Sequence, residues 1–398
     1  MTYNDFEVGV VLNGAAFDGP PGGFQFSMVD SIHELFPRGT LTFLDASGYF
    51  KEGGIIVDGF PLSLTLGIPS KSAQLTCDYV SRKATSGEAM TPGSTTGPVV
   101  FELQHKGAAA QSALQKAYQA TIDVIVKDVI EPLGFSGIDV VALKGSGSWW
   151  RYGLTEEEFL IDVLRPNMWS ADCEDTPFYV FGDSAGKLHV RSFADMFKQS
   201  PAAKIVLMPN PQSNVEGSGI TYAFDAQPFA EGLDTLYPSI RPDERSYAEA
   251  DLSFTKLIDS TFKHVGGKGN AVPVVAKGTP TSMAYLRRAR NDDAEKIFLK
   301  ARTNDIFRYG MLPERILVTG LFQPTALAGT IVEVDQRIPD TESGSYKSGQ
   351  HFTGNWLAER VSHTWLPSKK YAVTQMLLGR KLVQYPSNLL LADMAVKS

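Results

Sequence analysis

The chain has 398 residues, of which 43% are hydrophobic and 20% are charged, and its net charge is -7. This length and apolar content predict about two to four domains, each with its own core. The acidic excess is mild and contains no block of like charge, which argues against a protein that binds nucleic acid through a basic surface.

Signals for membranes, export and disulfides are missing from the sequence. No run of about eighteen apolar residues occurs, and the N-terminal residues lack the basic and then apolar layout of a signal peptide. We therefore expect a soluble chain that is made in the cytosol and does not insert into membranes. The two cysteines, Cys77 and Cys173, lie far apart without metal-ligand spacing, so both are predicted to be free, buried thiols.

Residues 1–106 are predicted to form a first small antiparallel β-barrel. Apolar and polar residues alternate with a period of two in segments 24–29, 39–43 and 61–66, and a last strand is predicted over 99–103. The segments between them are rich in glycine, proline and aspartate, which is typical of turns. Short strands at this spacing favour a small closed barrel or a sandwich.

Residues 107–210 are predicted to form a mixed α/β domain that follows the first barrel. Apolar residues at helical spacing predict one long amphipathic helix over residues 108–131. Pro132 and Gly134 are expected to end it, because proline cannot continue a helix and glycine suits its C-terminal turn.

Two further motifs are predicted inside this α/β domain. Thr155 and Glu158 have the spacing of a capping box, which explains the acidic cluster there without catalytic chemistry. Segment 178–190 predicts a β-hairpin whose turn is the Asp-Ser-Ala-Gly sequence at 183–186.

The rest of the chain is predicted to contain a connector, a helix and a second barrel. Residues 211–281 are rich in Pro, Gly, Ser and Asn and are predicted to form an irregular connector with a few strand-like pieces, such as 220–224. Residues 282–398 are predicted to begin with a helix over 282–308. Its basic residues are interleaved with acids, which is typical of a solvated or interface face.

The second barrel is predicted from strands in the last part of the chain. These are 315–320, 329–334 and a final hairpin made of 357–365 and 371–378. The predicted fold class is therefore mixed α+β, mainly β, with two small antiparallel β-barrels that flank an α/β middle region and are joined by it.

No catalytic, cofactor-binding or metal site is assigned from the sequence. The glycine-rich segment 266–270 lacks the spacing of a phosphate-binding loop and predicts a flexible turn. Segment 145–148 lacks the Gly-x-Ser-x-Gly pattern of a nucleophile elbow and predicts a loop. Glycoside cleavage by paired carboxylates stays open, because the fold decides which acids meet. The histidines, which show no metal-ligand spacing, are His33, His105, His189, His264, His351 and His363.

His363 is predicted to be structural. In the period of two, it shares a strand face with Leu357, Val361 and Trp365, which makes that face mainly apolar. We expect a ring nitrogen of this histidine to be hydrogen-bonded to a backbone group, because buried polar atoms rarely lack a partner.

The final hairpin has a recognisable pattern. It contains Val-x-His-x-Trp at 361–365, then a turn, then a strand that ends in Gly379-Arg380. This resembles the final hairpin of the central hub protein of contractile phage-tail baseplates, a fold shared with the hub portion of type VI secretion spike proteins.

Other segments agree with this resemblance in chain order. Segments 45–48 and 57–59 are similar to the first hub barrel, and 327–332 resembles the strand that opens the second barrel. The capping box together with the hairpin at 181–188 is similar to the inserted α/β domain.

The resemblance implies a structural role in a virion tail baseplate. Hub proteins assemble as homotrimers whose two barrels per chain form a pseudo-sixfold ring. The ring joins the hexameric tail tube to the trimeric central spike, next to other baseplate proteins. Genome DNA would pass through without specific binding, and the acidic excess suits such a lumen because like charge avoids phosphate. Only 381–398 follow the hairpin, so no fused hydrolase is expected and the chain is predicted not to be an enzyme or to need a cofactor.

Two alternatives remain open. The first is a carbohydrate-binding or polysaccharide- or peptidoglycan-degrading tail protein, in which Trp149 and Trp150 of a glycine-rich loop would stack on sugar rings. The second is a tail-tip protein of a non-contractile phage, which would share the barrels.

Overall fold

The structure of the chain is a computed structural model. It describes residues 6–17, 23–45, 58–68, 73–86, 97–144, 146–165, 168–170, 178–207, 219–224, 235–241, 246–252, 312, 314–339, 346–349 and 352–380. The predicted turn at 266–270, the predicted helix over 282–308, Cys173, His264 and His351 lie outside these described residues.

The first part of the chain forms antiparallel strands. They are β1 (Glu7–Leu12), β2 (Ala15–Ala16), β3 (Phe24–Ser31), β4 (Arg38–Asp45), β5 (Pro61–Ile68), β6 (Ala73–Ser86) and β7 (Gly97–His105). Burial follows the predicted period of two: Leu41 and Phe43 are buried, whereas Thr40 and Thr42 between and beside them reach the surface. All the strands predicted in this part are confirmed.

The middle part mixes short strands with short helices. Its elements are β8 (Leu114–Thr121), α1 (Ile122–Ile130), β9 (Gly137–Val140), β10 (Leu143–Lys144), β11 (Ser146–Leu154), β12 (Trp169–Ser170), β13 (Phe178–Gly182), β14 (Lys187–Ser192), α2 (Phe193–Lys198) and β15 (Ala203–Leu207). An α-helical turn, Glu156–Glu158, continues into a π-helical segment, Phe159–Leu164. Short 3-10 helices cover Lys106–Ala108 and Glu131–Leu133.

The predicted long helix over residues 108–131 is wrong in its first half. No α-helix forms over 108–121: Leu114–Thr121 is strand β8, which pairs with β11, and helix α1 begins only at Ile122. Tyr118 is buried in β8 with its ring stacked on Phe159, so tertiary packing overrides the local helical spacing. The helix ends near the predicted place, since Gly134 follows with a left-handed φ of 67°.

Segment 145–148 is also not the predicted loop where the structure describes it. Residues 146–148 lie in strand β11, opposite β8. By contrast, the capping box is confirmed: the Thr155 side chain accepts from the Glu158 amide, and the Glu158 carboxylate accepts from the Thr155 amide. The hairpin of β13 and β14 is confirmed as well.

The last part of the chain returns to strands. They are β16 (Gly219–Phe224), β17 (Thr235–Arg241), β18 (Ser246–Leu252), β19 (Glu314–Leu321), β20 (Ile331–Pro339), β21 (Tyr346–Ser348), β22 (Gly354–Leu366) and β23 (Tyr371–Arg380). A 3-10 turn, Pro367–Lys369, joins the last two. The predicted strand pieces in this part are confirmed, although the one expected over 329–334 begins at Ile331.

One large sheet connects the first and last parts of the chain. Its hydrogen-bonded order is β16-β19-β23-β22-β3-β4-β7-β6-β5-β1-β2, and β20 joins it by pairing with β22 and, in parallel, with β15. Apolar clusters lie against this sheet and inside the middle part. Representative members are Phe26, Leu64 and Phe101 in the first, Ile125, Phe159 and Val180 in the middle, and Trp356, Val361 and Met376 in the last.

The fold is mainly β with a few short helices, which confirms the coarse class predicted from the sequence. Closure of the strands into two barrels stays a prediction, as do the domain boundaries 1–106, 107–210, 211–281 and 282–398. Among the described residues, no helix has the length and apolar character needed to cross a membrane.

Candidate functional site

The candidate functional region is centred on the seam between β3 and β22. These strands pair from Ser31 opposite Arg360 to Phe26 opposite Trp365. Strand β22 also pairs with β23 along its length and with β20 near its start. One strand therefore bonds the first part of the chain to the last part through backbone hydrogen bonds.

The outer face of the sheet across this seam contains a strip of uncharged residues, which we name the neutral strip. Its members alternate with buried core residues, and each reaches the surface. They are Ser27, Val29, Thr40, Thr42, Val100, Thr319, Ser362, Thr364, Val373 and Gln375. Hydroxyl groups bond across the strands, with 2.7 Å between Ser27 Oγ and Thr40 Oγ1. The Gln375 amide donates to Thr319 Oγ1 at 3.3 Å.

Charged side chains border this strip. In the cross-strand rows, Arg38 lies opposite Val29, Glu102 lies opposite Thr40, and Arg360 follows at one end of β22. The strip is thus an uncharged patch on six adjacent strands, bounded on the same face by Arg38, Glu102 and Arg360.

A β-bulge in β22 places a carboxylate inside the seam. The register shifts between Ala358 and Arg360, so Glu359 lies in the bulge and is 5% exposed. Its oxygens accept from Arg315 Nε at 2.6 Å and from His33 Nε2 at 2.9 Å. Burial opposes ionisation, but the hydrogen bonds from His33 and Arg315 outweigh it and lower the pKa of Glu359.

The bulge also corrects the predicted face of His363. Val361 and His363 share the core face, but Leu357 precedes the bulge and belongs to the opposite parity. An extra residue in one strand reverses the period-two pattern beyond it. Leu357 is nevertheless buried, because both faces of β22 are covered there.

His363 is a structural residue within a hydrogen-bonded chain, and its expected backbone partner is confirmed. Nε2 donates to the Ala326 carbonyl oxygen at 3.1 Å, and Nδ1 accepts from the Thr374 hydroxyl at 3.0 Å. The Thr374 oxygen in turn accepts from the Gln323 amide at 2.9 Å. Burial lowers the pKa of His363 to about 4. The chain of bonds fastens the loop after β19 to the final hairpin.

A second buried carboxylate, Asp30, lies at the other side of the seam. It is 1% exposed at the end of β3, and its Oδ2 accepts from the Ser184 backbone amide at 2.8 Å. Ser184 belongs to the turn of the β13–β14 hairpin. In that turn Asp183 Oδ1 accepts from the amides of Ala185 and Lys187, both at 2.9 Å.

The same hairpin contacts the loop before β20. Gly329 has a φ of 77°, and a Cβ at that position would collide with the Phe181 ring. Its amide donates to the Ala358 carbonyl at 2.8 Å, and its carbonyl accepts from the Gln199 side chain at 2.9 Å. Glycine is therefore required at this close approach of three chain segments.

The β8–β11 ribbon exposes two large aromatic side chains. Trp150 and Tyr152 lie on one face of β11 and are 73% and 72% exposed. Trp149 points to the other face and packs against the core around α1. The ribbon is anchored by Arg151, which is bound to the buried Glu156 at 2.7 Å. The pair Trp149-Trp150 is thus split between core and surface and lies in a strand, not in the predicted loop.

The described histidines do not form a catalytic or metal constellation. His33, His105, His189 and His363 have separate partners, and no group of three or more metal-ligating side chains occurs within the described ranges. Sequence reasoning missed Glu359 and Asp30, because buried carboxylates have no local pattern and their partners are distant in sequence.

Comparisons with known proteins agree on the fold. No family model matches the sequence, and no curated protein matches it. The tail protein from Neisseria meningitidis aligns with a TM-score of 0.56 and 9% identity, over 95% of this chain and 97% of that chain. The 43 kDa tail protein of prophage MuSo2 from Shewanella oneidensis aligns with a TM-score of 0.50 and 12% identity, over 94% of this chain and 98% of that chain.

A component of the E. coli type VI secretion system aligns with a TM-score of 0.49 and 10% identity, over 94% of this chain and 77% of that chain. The two tail proteins alone establish that this chain has the fold of phage tail proteins over nearly its whole length. The resemblance to tail proteins stated from the sequence is therefore confirmed at the level of the fold.

Proposed function

We propose that this chain is a structural hub of a phage tail baseplate. Three copies form a pseudo-sixfold ring that joins the hexameric tail tube to the trimeric central spike, in contact with other baseplate proteins of the virion. The observation that supports this most directly is the single sheet that passes through the β3–β22 seam. It holds two β-rich parts of one chain together, as a ring with two units per copy requires.

The neutral strip suits the wall of the ring channel. Lysine and arginine would bind the phosphates of a passing duplex, and each such contact adds affinity. Side chains such as Ser27, Thr40 and Thr364 give a wetted surface without that attraction. DNA then passes without specific binding. The weak attraction comes from the uncharged side chains that line the channel more than from the net negative charge of the chain.

The first test is the molar mass of the purified chain by light scattering over a range of concentrations. A hub gives three times the 43.4 kDa expected for one copy. A mass of one copy at every concentration, also after mixing with tube and spike proteins, would refute the ring.

The position of the strip is tested by cysteine labelling of the trimer. Thr40→Cys lies on the strip, and Glu131→Cys places a thiol at an exposed position of the middle part. A small maleimide is expected to label both, whereas a maleimide carried on a large protein should label only Glu131→Cys. The unchanged chain measures the background from Cys77 and Cys173. Equal labelling of both variants by the large reagent would show that the strip does not line the channel.

A second candidate function is carbohydrate contact by the β8–β11 ribbon. Trp150 and Tyr152 are separated by about 7 Å along one strand face, and exposed rings of this kind can stack on sugars or on protein side chains. Binding of polysaccharide or peptidoglycan by the full chain, lost in Trp150→Ala, would support it. Loss of trimer mass in Trp150→Ala without any sugar binding would assign the ribbon to assembly.

A further inference from the structure

Three separate chain segments meet at Asp30. The carboxylate comes from β3, the Ser184 amide comes from the β13–β14 turn, and the backbone of Ala328 comes from the loop before β20. We name these three residues the Asp30 junction. A side chain that bonds to two segments distant in sequence fixes how the middle part sits on the main sheet.

The surroundings of this junction do not neutralise a negative charge on Asp30. The turn presents Asp183, which bears the same charge, and β6 presents Cys77 and Tyr79, which are neutral at ordinary pH. The neighbouring basic side chains are engaged elsewhere: His189 lies 2.8 Å from Asp183 Oδ2, and Arg191 binds Asp139. His363 on β22 is bonded to Ala326 and Thr374. Arg315 on β19 and His33 after β3 are both bonded to Glu359.

The carboxylate of Asp30 has few hydrogen bonds for a group that is fully buried. Oδ1 of Asp30, Oη of Tyr79 and Oγ of Ser184 are all buried and lie in no hydrogen bond of normal geometry. Buried polar atoms of this kind are costly and are normally paired. A buried carboxylate with an unpaired oxygen favours its neutral form, and a proton on Asp30 would also remove its repulsion from Asp183.

We propose that Asp30 is a proton-controlled latch that fastens the hairpin of the middle part to the main sheet. With the proton bound, the carboxyl group accepts from the Ser184 amide and offers a donor to its buried neighbours. Without it, a buried charge on Asp30 lies within the influence of the Asp183 charge, and the hairpin turn opens from β3 more often.

Electrostatics of the site agree with this geometry. Burial raises the pKa of Asp30 to about 7, and the charge of Asp183 adds to the increase. The raised pKa means that the closed junction binds a proton more tightly than the open one. Its stability is therefore greatest below the ordinary pKa of 3.8, declines as pH rises toward about 7, and is then constant.

The test is amide hydrogen exchange of the full chain between pH 5 and pH 7, expressed as protection factors so that intrinsic rates cancel. Protection of the Ser184 amide is expected to fall by about tenfold or more across this range. The Lys187 amide is a matched control in the same turn, because it donates to Asp183 and not to Asp30. Its protection should change little.

Asp30→Asn mimics the protonated carboxyl group and should abolish the pH dependence at Ser184. Asp128→Asn, at an exposed carboxylate of helix α1, should leave it as in the unchanged chain. If Asp30→Asn does not fold, the comparison of Ser184 with Lys187 in the unchanged chain still decides. Equal pH dependence of the two amides, or constant protection at Ser184, would overturn the proposal.

Discussion

Asp30 and Glu359 are two buried carboxylates on paired strands of one seam. Their surroundings shift the two pKa values in opposite directions. Glu359 lies beside Arg315 and His33, and their hydrogen bonds lower its pKa despite burial. Asp30 lies beside Asp183, and burial with that like charge raises its pKa to about 7. The strands meet here with Asp30 directly opposite Val361, two residues after Glu359.

The comparison shows that burial alone does not decide the charge of an acid. The neighbouring charges and hydrogen-bond donors decide whether a buried acid is ionised, and the two sites have different structural roles. The Glu359 cluster is a permanent ion pair that ties β22 to β19 and to the loop after β3. The Asp30 junction has no such cation within the described residues and responds to pH instead.

The largest expected effect comes from breaking the permanent pair. Glu359→Gln preserves the shape of the side chain but leaves the Arg315 guanidinium without its counter-charge in a site where Glu359 is nearly inaccessible. Removing one partner of a buried ion pair typically costs about 3–5 kcal/mol. We expect a loss of about 4 kcal/mol in the free energy of unfolding, measured by urea denaturation. A loss below about 1 kcal/mol would mean that the cluster is effectively solvated.

The next largest effect on the free energy of unfolding is expected for His363, a buried histidine on β22 with neutral hydrogen-bond partners. The pKa of His363 is lowered by burial from 6.5 to about 4, so the folded chain holds it neutral. Its contribution to stability is complete above 6.5 and is lost as pH falls toward 4, because the unfolded chain takes up the proton first. At about 1.4 kcal/mol per pKa unit, the loss is about 3 kcal/mol.

This contribution is measured as a difference between two chains. His363→Gln removes the titrating group, so its unfolding free energy should fall less steeply between pH 6.5 and pH 4 than that of the unchanged chain. Burial also lowers the pKa of His105 to about 4, and this residue adds the same slope to both chains. Identical slopes in the two chains would show that His363 is not kept neutral by the fold.

Local patterns in the sequence were sufficient for much of the fold. The alternation in β3 and β4, the capping box at Thr155 and the β13–β14 turn each depend on neighbours within a few residues, and all are confirmed. The helix predicted over 108–131 failed in its first half, because β11 offers a pairing partner that no local spacing reveals.

The polar sites of the seam could not be predicted for a related reason. His33 and Glu359 are 326 positions apart in the sequence and meet only after β3 pairs with β22. The bulge at Glu359 also reverses the face of every residue before it, so Leu357 lies on the face opposite to the one its spacing predicts. The structural role of His363 was predictable, since its place among apolar residues of a strand implied burial.

The hydrogen-bond geometry of the Arg315–Glu359 pair should contribute less to the free energy of unfolding than its charges do. Arg315 binds both oxygens of Glu359, through Nε at 2.6 Å and through Nη2 at 3.2 Å. Arg315→Lys keeps the positive charge but cannot reproduce the two-pronged contact. We expect a loss of about 1.5 kcal/mol in the unfolding free energy, clearly less than for Glu359→Gln. A loss as large as that of Glu359→Gln would show that hydrogen-bond geometry, not charge, dominates.

The smallest effect is expected for an ion pair of the same sheet that faces water. Lys204 on β15 and Glu333 on β20 are directly opposite in the register, and their charged groups are 2.6 Å apart. Their side chains are 54% and 39% exposed, so solvent and salt screen the attraction. Glu333→Gln should change the unfolding free energy by less than about 0.5 kcal/mol and is the matched control for Glu359→Gln. An equal loss in both variants would mean that burial does not distinguish the two pairs.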